Sequence, residues 1–429
     1  MSSTTGQKVV WNGVEYSATE LPLFYKPHTI TALLLSLGLL ICAGWLQVSP
    51  TDAEGAEVSL TDVEVPRVFA GLAAASAAFL VYSMLQFPDG IFVRPHPGLW
   101  RAVLGASLLY LMFLVFMFFL PVSQARGLLT AFDPSLGSPL VLPLYTEDCS
   151  LTWENVGPKM DIFVVAHFGG WFVKALMLRD PAICLTLSLL WEFVELSLVT
   201  MLPNFGECWW DQLIMDFLVC NTGGMILGLM LASQLEMANY NWVGFGAIAS
   251  VKGKVKRAAL QFTPRSWTVV QWEIFSSFRR LGSVALIIAA ITLVELNAFV
   301  LKAVLWIPSS NWLNLARLAL WVAMGAPALR EYYQFIADPT CKKLGTQAWV
   351  ACACMLVETA ISIKFGAVYF ADVDVLVPTN VMALWAYAIL AFLIFYAYIY
   401  SSHDRSLDPS QLRHVIRPRA STIPITKLD

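Results

Sequence analysis

The stretch from His167 to Gly224 reads HFGGWFVKALMLRDPAICLTLSLLWEFVELSLVTMLPNFGECWWDQLIMDFLVCNTGG. It holds three apolar runs joined by two very short connections, and a helix that crosses a hydrocarbon core needs about 20 such residues. Short connections between runs of this length make consecutive helices antiparallel neighbours. The fold class is therefore read as all-α and polytopic. Working outward, comparable windows lie at Thr29–Val48, Val68–Phe87, Ala102–Val122, Ile162–Leu178, Ala182–Met201, Asp211–Ser233, Val284–Trp306, Trp312–Arg330, Thr346–Phe365 and Val375–Tyr400, about ten spans in all.

Composition agrees. Of the 429 residues 58% are hydrophobic and only 13% charged, against about 25% charged in soluble chains, so no large soluble domain is left to place. Mean hydropathy is +0.66. The formal net charge of -3 provides no basic field for a nucleic acid, and partners of that class are excluded. Sixteen Trp and 26 Phe suit interfacial belts and lipid-facing helix surfaces. The eight Cys contain no CxxC, which excludes a zinc ribbon or a thioredoxin-like site.

The segment before Tyr25 is polar and lacks an apolar core followed by a small-residue cleavage site, so the first span is expected to serve as an anchor. Lys and Arg concentrate on alternate connections, among them those holding Arg94, Arg101, Arg179, Arg257, Arg330, Lys342 and Arg405. The opposite set comprises Asp52–Glu64, Ser123–Lys159, Leu202–Trp210 and Pro308–Asn311. Positive-inside bias then places both termini in the cytosol and the second set in the lumen. The expected organisation is a cytosolic N-terminal segment (1–27), a ten-helix catalytic domain (28–400) and a cytosolic tail (401–429). With this topology only Cys149 and Cys208 fall on the oxidising side, making theirs the one disulfide the compartment allows. Two free thiols are the alternative, because sequence does not show whether the Cα atoms approach within ~4.4–6.8 Å.

Acids accumulate where a membrane span disfavours them. Counting ~1.5 Å of rise per residue puts His167 and Glu195 ~9 Å, and Asp216 ~8 Å, below the lumenal helix ends, with Glu192 and Asn221 at ~15 Å. Glu207 and Asp211 stand at the mouth beside Trp209 and Trp210. Glu192 and Glu195 share a helix face. Asp211, Asp216 and Asn221 are five apart and would not line one face of an undistorted α-helix; a distorted helix or approach from different sides is required. An ionised carboxylate at this depth costs at least ~2.5 kcal/mol, so the cluster must be paired, protonated or bound to a cation. Lys174, read as the only nearby cationic side chain, is expected to snorkel toward the cytosolic end. A hard, oxygen-seeking divalent cation such as Ca²⁺ matches the donors, and one His without a Cys pair argues against zinc. His167 is a candidate general base. The lone acids Glu295 and Glu358 are expected to be structural.

Two classes of function fit such a site: an intramembrane enzyme acting on a phosphate, or an acid-lined cation transporter. A transporter would carry inverted repeats, and none is evident. The chain has no GxxxxGK[ST] or GxGxxG signature and no DGxxAR…GxxxDxxxD pattern of CDP-alcohol phosphotransferases, so any donor must be unactivated.

The segments FYKPHTIT (Phe24–Thr31), RPHPGLWR (Arg94–Arg101), LPNFGECWWDQ (Leu202–Gln212), KRAALQFTPRSW (Lys256–Trp267), VELNAF (Val294–Phe299) and KKLGTQAW (Lys342–Trp349) resemble the eukaryotic base-exchange phosphatidylserine synthases. The resemblance runs from about Phe24 to the last span. It implies an endoplasmic-reticulum enzyme that replaces the choline of phosphatidylcholine or the ethanolamine of phosphatidylethanolamine with L-serine. It further implies a Ca²⁺ requirement, no nucleotide, a homodimer in membrane lipid, and inhibition by the product phosphatidylserine. Family active-site positions match at His167, Glu192, Glu195, Asn204, Glu207, Asp211, Asp216 and Asn221, of which Glu192, Glu195, Glu207, Asp211, Asp216 and Asn221 would hold the metal. The segments matching a product-sensing pocket carry Arg94, His96, Arg257, Gln261, Arg330 and Gln347; positive-inside bias alone is the competing explanation there.

Overall fold

The computed structural model describes residues 8–11, 14–17, 31, 35–36, 38–39, 41–42, 65–92, 95–140, 146, 148–160, 162–236, 250–251, 270, 272–338, 341–373 and 377–406. Its helices are α1 (Val65–Gln86), α2 (Pro97–Phe119), α3 (Val122–Phe132), α4 (Ile162–Leu178), α5 (Pro181–Leu198), a π-helix (Asp211–Gly223) running directly into α6 (Gly224–Glu236), α7 (Phe278–Val304), α8 (Trp312–Ala337), α9 (Thr346–Tyr369) and α10 (Thr379–Ser406). Among the described residues eight helices are long and apolar enough to cross a membrane, and the 17-residue α4 is a shorter apolar one. Nine of the ten expected windows thus coincide with helices. The window Thr29–Val48 lies largely outside the described residues. A two-stranded antiparallel hairpin, β1 (Lys8–Trp11) and β2 (Val14–Ser17), precedes the helical body and pairs Lys8 with Ser17.

Local chemistry sets several helix starts. The His96 ring accepts from Gly98 N ahead of Pro97 at the start of α2, and the Asp180 carboxylate accepts from Ala182 N and Ile183 N ahead of Pro181 at the start of α5. Asn311 caps α8 the same way through Leu313 N. The Arg179–Asp180 link between α4 and α5 turns on Arg179, whose φ of 56° is left-handed. That two-residue reversal fixes α4 and α5 as antiparallel neighbours.

α6 packs parallel to α4 at backbone distance. A Cβ on Gly224 would stand 2.6 Å from the Phe168 carbonyl, and one on Gly228 2.5 Å from the Phe172 carbonyl. Small residues four apart permit this approach, as elsewhere in membrane helix pairs. It brings the π-helix against the first two turns of α4. α5 belongs to two packed cores: Ile183, Cys184 and Leu187 pack with Trp171, Ala175 and Met225, while Trp191 packs with Phe205, Leu301 and Val304.

A buried ionic clasp ties α2, α7, α8 and α9. Arg317 donates to both oxygens of Glu358, at 3.0 and 2.6 Å, and to the Val294 carbonyl at 2.9 Å. Trp321 Nε1 and Tyr110 Oη also donate to Glu358, which is 0% exposed. Both oxygens of this acid are therefore engaged, in keeping with the structural role expected of it.

Candidate active site

The π-helix resolves the five-residue spacing. An α-helix turns about 100° per residue, so residues five apart diverge by about 140°; hydrogen bonding to the fifth residue instead brings such residues close to one line. Asp211, Asp216 and Asn221 accordingly run down one side of this segment. Thr222 Oγ1 donates to the Phe217 carbonyl, five residues back, at 2.8 Å.

His167 on α4 faces that line. Its Nδ1 lies 3.3 Å from Asp216 Oδ1, and its Nε2 lies 2.8 Å from Asn221 Oδ1. Trp171 Nε1, one turn on, donates toward the same Nε2 at 3.1 Å. These partners assign the proton positions. Asp216 accepts the Nδ1 proton, leaving Nε2 to exchange one: it accepts from Trp171 when bare and donates to Asn221 when protonated. Asn221 is fully buried, and its Nδ2 donates to Ser188 Oγ at 2.8 Å and toward Glu192 Oε1 at 3.4 Å. The amide is thereby oriented with its oxygen toward the imidazole.

Around this axis stand oxygens from three elements. Glu192 reaches Gln212, Glu195 accepts from Trp191 Nε1 at 2.8 Å, and the Glu207 carboxyl is within hydrogen-bonding reach of Asp216. Burial, and next the facing Asp216, push the Glu207 carboxyl far above the usual carboxylate range. An acid so placed needs a proton or a cation. Glu192 Oε2, Asn204 Oδ1 and Glu207 Oε2 are buried atoms without a hydrogen-bond partner among the described residues. Unsatisfied oxygens on α5 and the 203–207 turn are of the type that a hard divalent cation takes. His167, Asp216 and Cys220 also bring ligand atoms within 4.8 Å of one another, but the Cys220 thiol donates to the Val164 carbonyl, leaving one nitrogen and one oxygen where zinc takes at least three protein ligands.

Asp211 sits at the mouth, paired with Lys159 Nζ at 2.5 Å, and Lys159 also lies 5.0 Å from the Trp210 ring centroid. Lys174 was therefore not the only cation to consider, because the helical turn before α4 delivers Lys159. Nor does Lys174 snorkel away: it pairs with Glu295 Oε1 at 2.5 Å and lies 3.7 Å from the Trp171 ring centroid. A half-buried carboxylate on α7 holds it inside. The two mouth tryptophans also differ, Trp209 being 58% exposed and Trp210 buried. Cys149 and Cys208 are joined, with Cα atoms 5.2 Å apart. The bridge fixes the segment before α4 beside Glu207, with Trp210 and Met215 packed around it.

Of the residues assigned to product sensing, Arg94, Arg257 and Gln261 lie outside the described residues. His96 caps α2, Gln347 donates from the interior to Ser107 Oγ at 3.0 Å, and Arg330 lies with its guanidinium 5.4 Å from the Tyr333 ring centroid. Helix packing thus accounts for His96 and Gln347. Both nevertheless share one end of the bundle with Arg330, since α2 and α9 run parallel and Glu331 accepts from Ala348 N at 2.9 Å.

Sequence reasoning missed Trp171, Ser188, Gln212 and Lys159. Trp171 lies four residues after His167 and Ser188 four before Glu192, one turn along the same face, so helical spacing was the available signal. Lys159 had no such signal, because the turn that carries it folds back only in three dimensions.

The family described as phosphatidyl serine synthase matches residues 95–366, which contain every element of this site. The chain is 39% identical over 386 residues to phosphatidylserine synthase 1 of Danio rerio, covering 89% of this chain and 80% of the relative. It is 40% identical over 351 residues to phosphatidylserine synthase 2 of Danio rerio, covering 80% and 75% respectively. Over 351 residues it is 41% identical to phosphatidylserine synthase 2 of Homo sapiens, covering 80% and 70%. The chain that gathers this histidine, amide and acid cluster between α4, α5 and the π-helix belongs to the phosphatidyl serine synthase family.

Proposed function

We propose that the chain makes phosphatidylserine by Ca²⁺-dependent base exchange, replacing the choline or ethanolamine of a phospholipid with L-serine. The observation that carries this reading is the His167–Asp216–Asn221 arrangement, set among buried oxygens that lack partners among the described residues. Exchanging one phosphodiester for another is nearly isoenergetic, so no nucleotide is needed.

In this mechanism the serine hydroxyl forms the new bond to phosphorus while His167 Nε2 takes its proton. Asp216 holds the imidazole through Nδ1, and Asn221 Oδ1 accepts from the protonated Nε2. The old head-group oxygen departs from phosphorus and receives the same proton from His167. Glu192, Glu207 and Asn204, with Glu195 and Asp216 beside them, would hold Ca²⁺, whose charge would stabilise the phosphoryl oxygens. Asp211, engaged by Lys159, lines the entrance. The reading includes an endoplasmic-reticulum membrane, both termini in the cytosol, the mouth in the lumen, a homodimer, and product sensing at the end carrying His96, Arg330 and Gln347.

Purified protein incubated with labelled serine and either phosphatidylcholine or phosphatidylethanolamine tests this directly. Stoichiometric release of choline or ethanolamine with formation of labelled phosphatidylserine is the expected result. Phosphatidylserine formed without head-group release, or only after adding a CDP-activated lipid, overturns the exchange mechanism.

A further inference from the structure

A laterally open groove of about 550 Å³ runs along the outer side of α5, between Val194 and Leu198 of α5, Leu296 of α7, and Met382, Trp385 and Ile389 of α10. Its volume is within the ~300–1,000 Å³ usual for small-molecule sites. Two features separate it from a chance furrow in a lipid-facing surface. Its floor is held: Trp385 Nε1 donates to Ser197 Oγ at 2.8 Å, and the Trp385 ring packs on Phe193 at 5.2 Å between centroids. Its α5 and α7 walls also come from helices that carry acids. At about 100° per residue, Leu198 stands about 40° around α5 from Val194, and Glu195 about 60° beyond Leu198. On α7, Leu296 directly follows Glu295, which meets Lys174 of α4.

The groove's outer lip is open to hydrocarbon, with Met382 and Ile389 both more than half exposed. The polar side-chain groups of the lining, Ser197 Oγ and Trp385 Nε1, are bonded to each other, so they offer a zwitterionic amino acid little. A hydrocarbon chain does fit: entering from the bilayer between α5 and α10, it would bring the attached phosphate to the Glu195 side of α5. From Met382 to Ile389 the groove accompanies about two helical turns, roughly 10 Å.

We propose that this groove seats an acyl chain of the phospholipid whose phosphodiester reacts at His167, and so positions the lipid substrate. The inference rests on the exchange reading of the site. A groove and the surrounding lipid tails are about equally apolar, so the groove contributes orientation of the reacting phosphate more than binding strength.

The test fills the groove. Ala386 also lines it and is exposed, so Ala386→Trp places an indole in the acyl path away from the acids. In nanodiscs of long-chain phospholipid, kcat/KM for the lipid should fall at least tenfold with the KM for serine unchanged, while exchange on a water-soluble dihexanoyl phospholipid stays at the parent level. Unchanged long-chain activity, or an equal loss on both lipids, overturns the proposal. Independently of any variant, a phospholipid with a mid-chain diazirine, irradiated with the parent protein, should label peptides containing Val194–Leu198 and Met382–Ile389. Labelling confined to other segments also overturns it. If the parent releases no head group from either lipid, the exchange reading fails, and the labelling pattern still decides whether the groove holds an acyl chain.

Discussion

Nδ1 of His167 lies 3.3 Å from Oδ1 of Asp216, joining the second turn of α4 to the middle of the π-helix. A carboxylate at Nδ1 fixes the tautomer and leaves Nε2 as the working nitrogen. His167→Ala should lower turnover by about 10²–10⁴-fold while Ca²⁺ binding and thermal stability stay near parent values. Asp216→Asn should lower it too, because an amide at Nδ1 no longer requires the proton there. Wild-type turnover in His167→Ala, measured as head-group release, would remove the imidazole from the chemistry.

The cation proposal rests on buried oxygens without partners among the described residues. Excess chelator should abolish exchange, and added Ca²⁺ should restore it. Glu192→Gln and Glu207→Gln keep shape but remove charge, so each should shift the Ca²⁺ activation midpoint upward by at least tenfold, a change of about 1.4 kcal/mol. Identical Ca²⁺ titrations in parent and both variants would assign those acids a structural role.

The π-helix makes its own prediction. Deleting Leu218, 52% exposed and lipid-facing, removes a residue between Asp216 and Asn221 and returns the segment toward α-helical spacing. In that register Asp216 and Asn221, left four apart, stay about 40° from each other, whereas Asp211, still five before Asp216, diverges from it by about 140° and leaves the aligned side. Exchange should drop by at least 100-fold in a protein that still purifies as a folded species. Activity within a few-fold of the parent would show that the alignment is not needed.

Breaking the Arg317–Glu358 clasp should act on stability instead. Removing one partner of a buried pair leaves an uncompensated charge, at about 3–5 kcal/mol. Glu358→Ala should therefore lower the thermal midpoint strongly in detergent, whereas the KM for serine of the surviving folded fraction should not move. A changed serine KM with an unchanged midpoint would place this cluster in the reaction.

For the cysteines, alkylation with and without prior reduction, followed by peptide mapping, should label Cys149 and Cys208 only after reduction. Closing a sequence separation of 59 contributes about 4 kcal/mol in chain-entropy terms, so Cys149→Ser should be less stable than the parent. Labelling of both thiols without reductant would exclude the bridge. Access to either from the cytosolic side would overturn the lumenal placement of the mouth.

Hydrophobic runs of the length of the bilayer, Lys and Arg on alternate connections, and acids at matching depth can all be read along one dimension, and they sufficed for the helical fold and for a cluster containing His167, Glu195 and Asp216. Rise per residue is nearly invariant in a membrane helix, so depth is a sequence property. Azimuth is not. Whether Asp211, Asp216 and Asn221 share a face depends on hydrogen bonding to the fifth residue rather than the fourth, and that register holds where the glycines of α6 bring the segment against α4. Partners are equally nonlocal: Lys174 pairs with Glu295, Lys159 with Asp211 and Arg317 with Glu358 because an unpaired charge in a low-dielectric interior is expensive and seeks whichever counter-charge packing makes available. The tertiary structure alone decided those pairings, and it alone opened the groove between α5 and α10, whose walls come from helices distant in the chain.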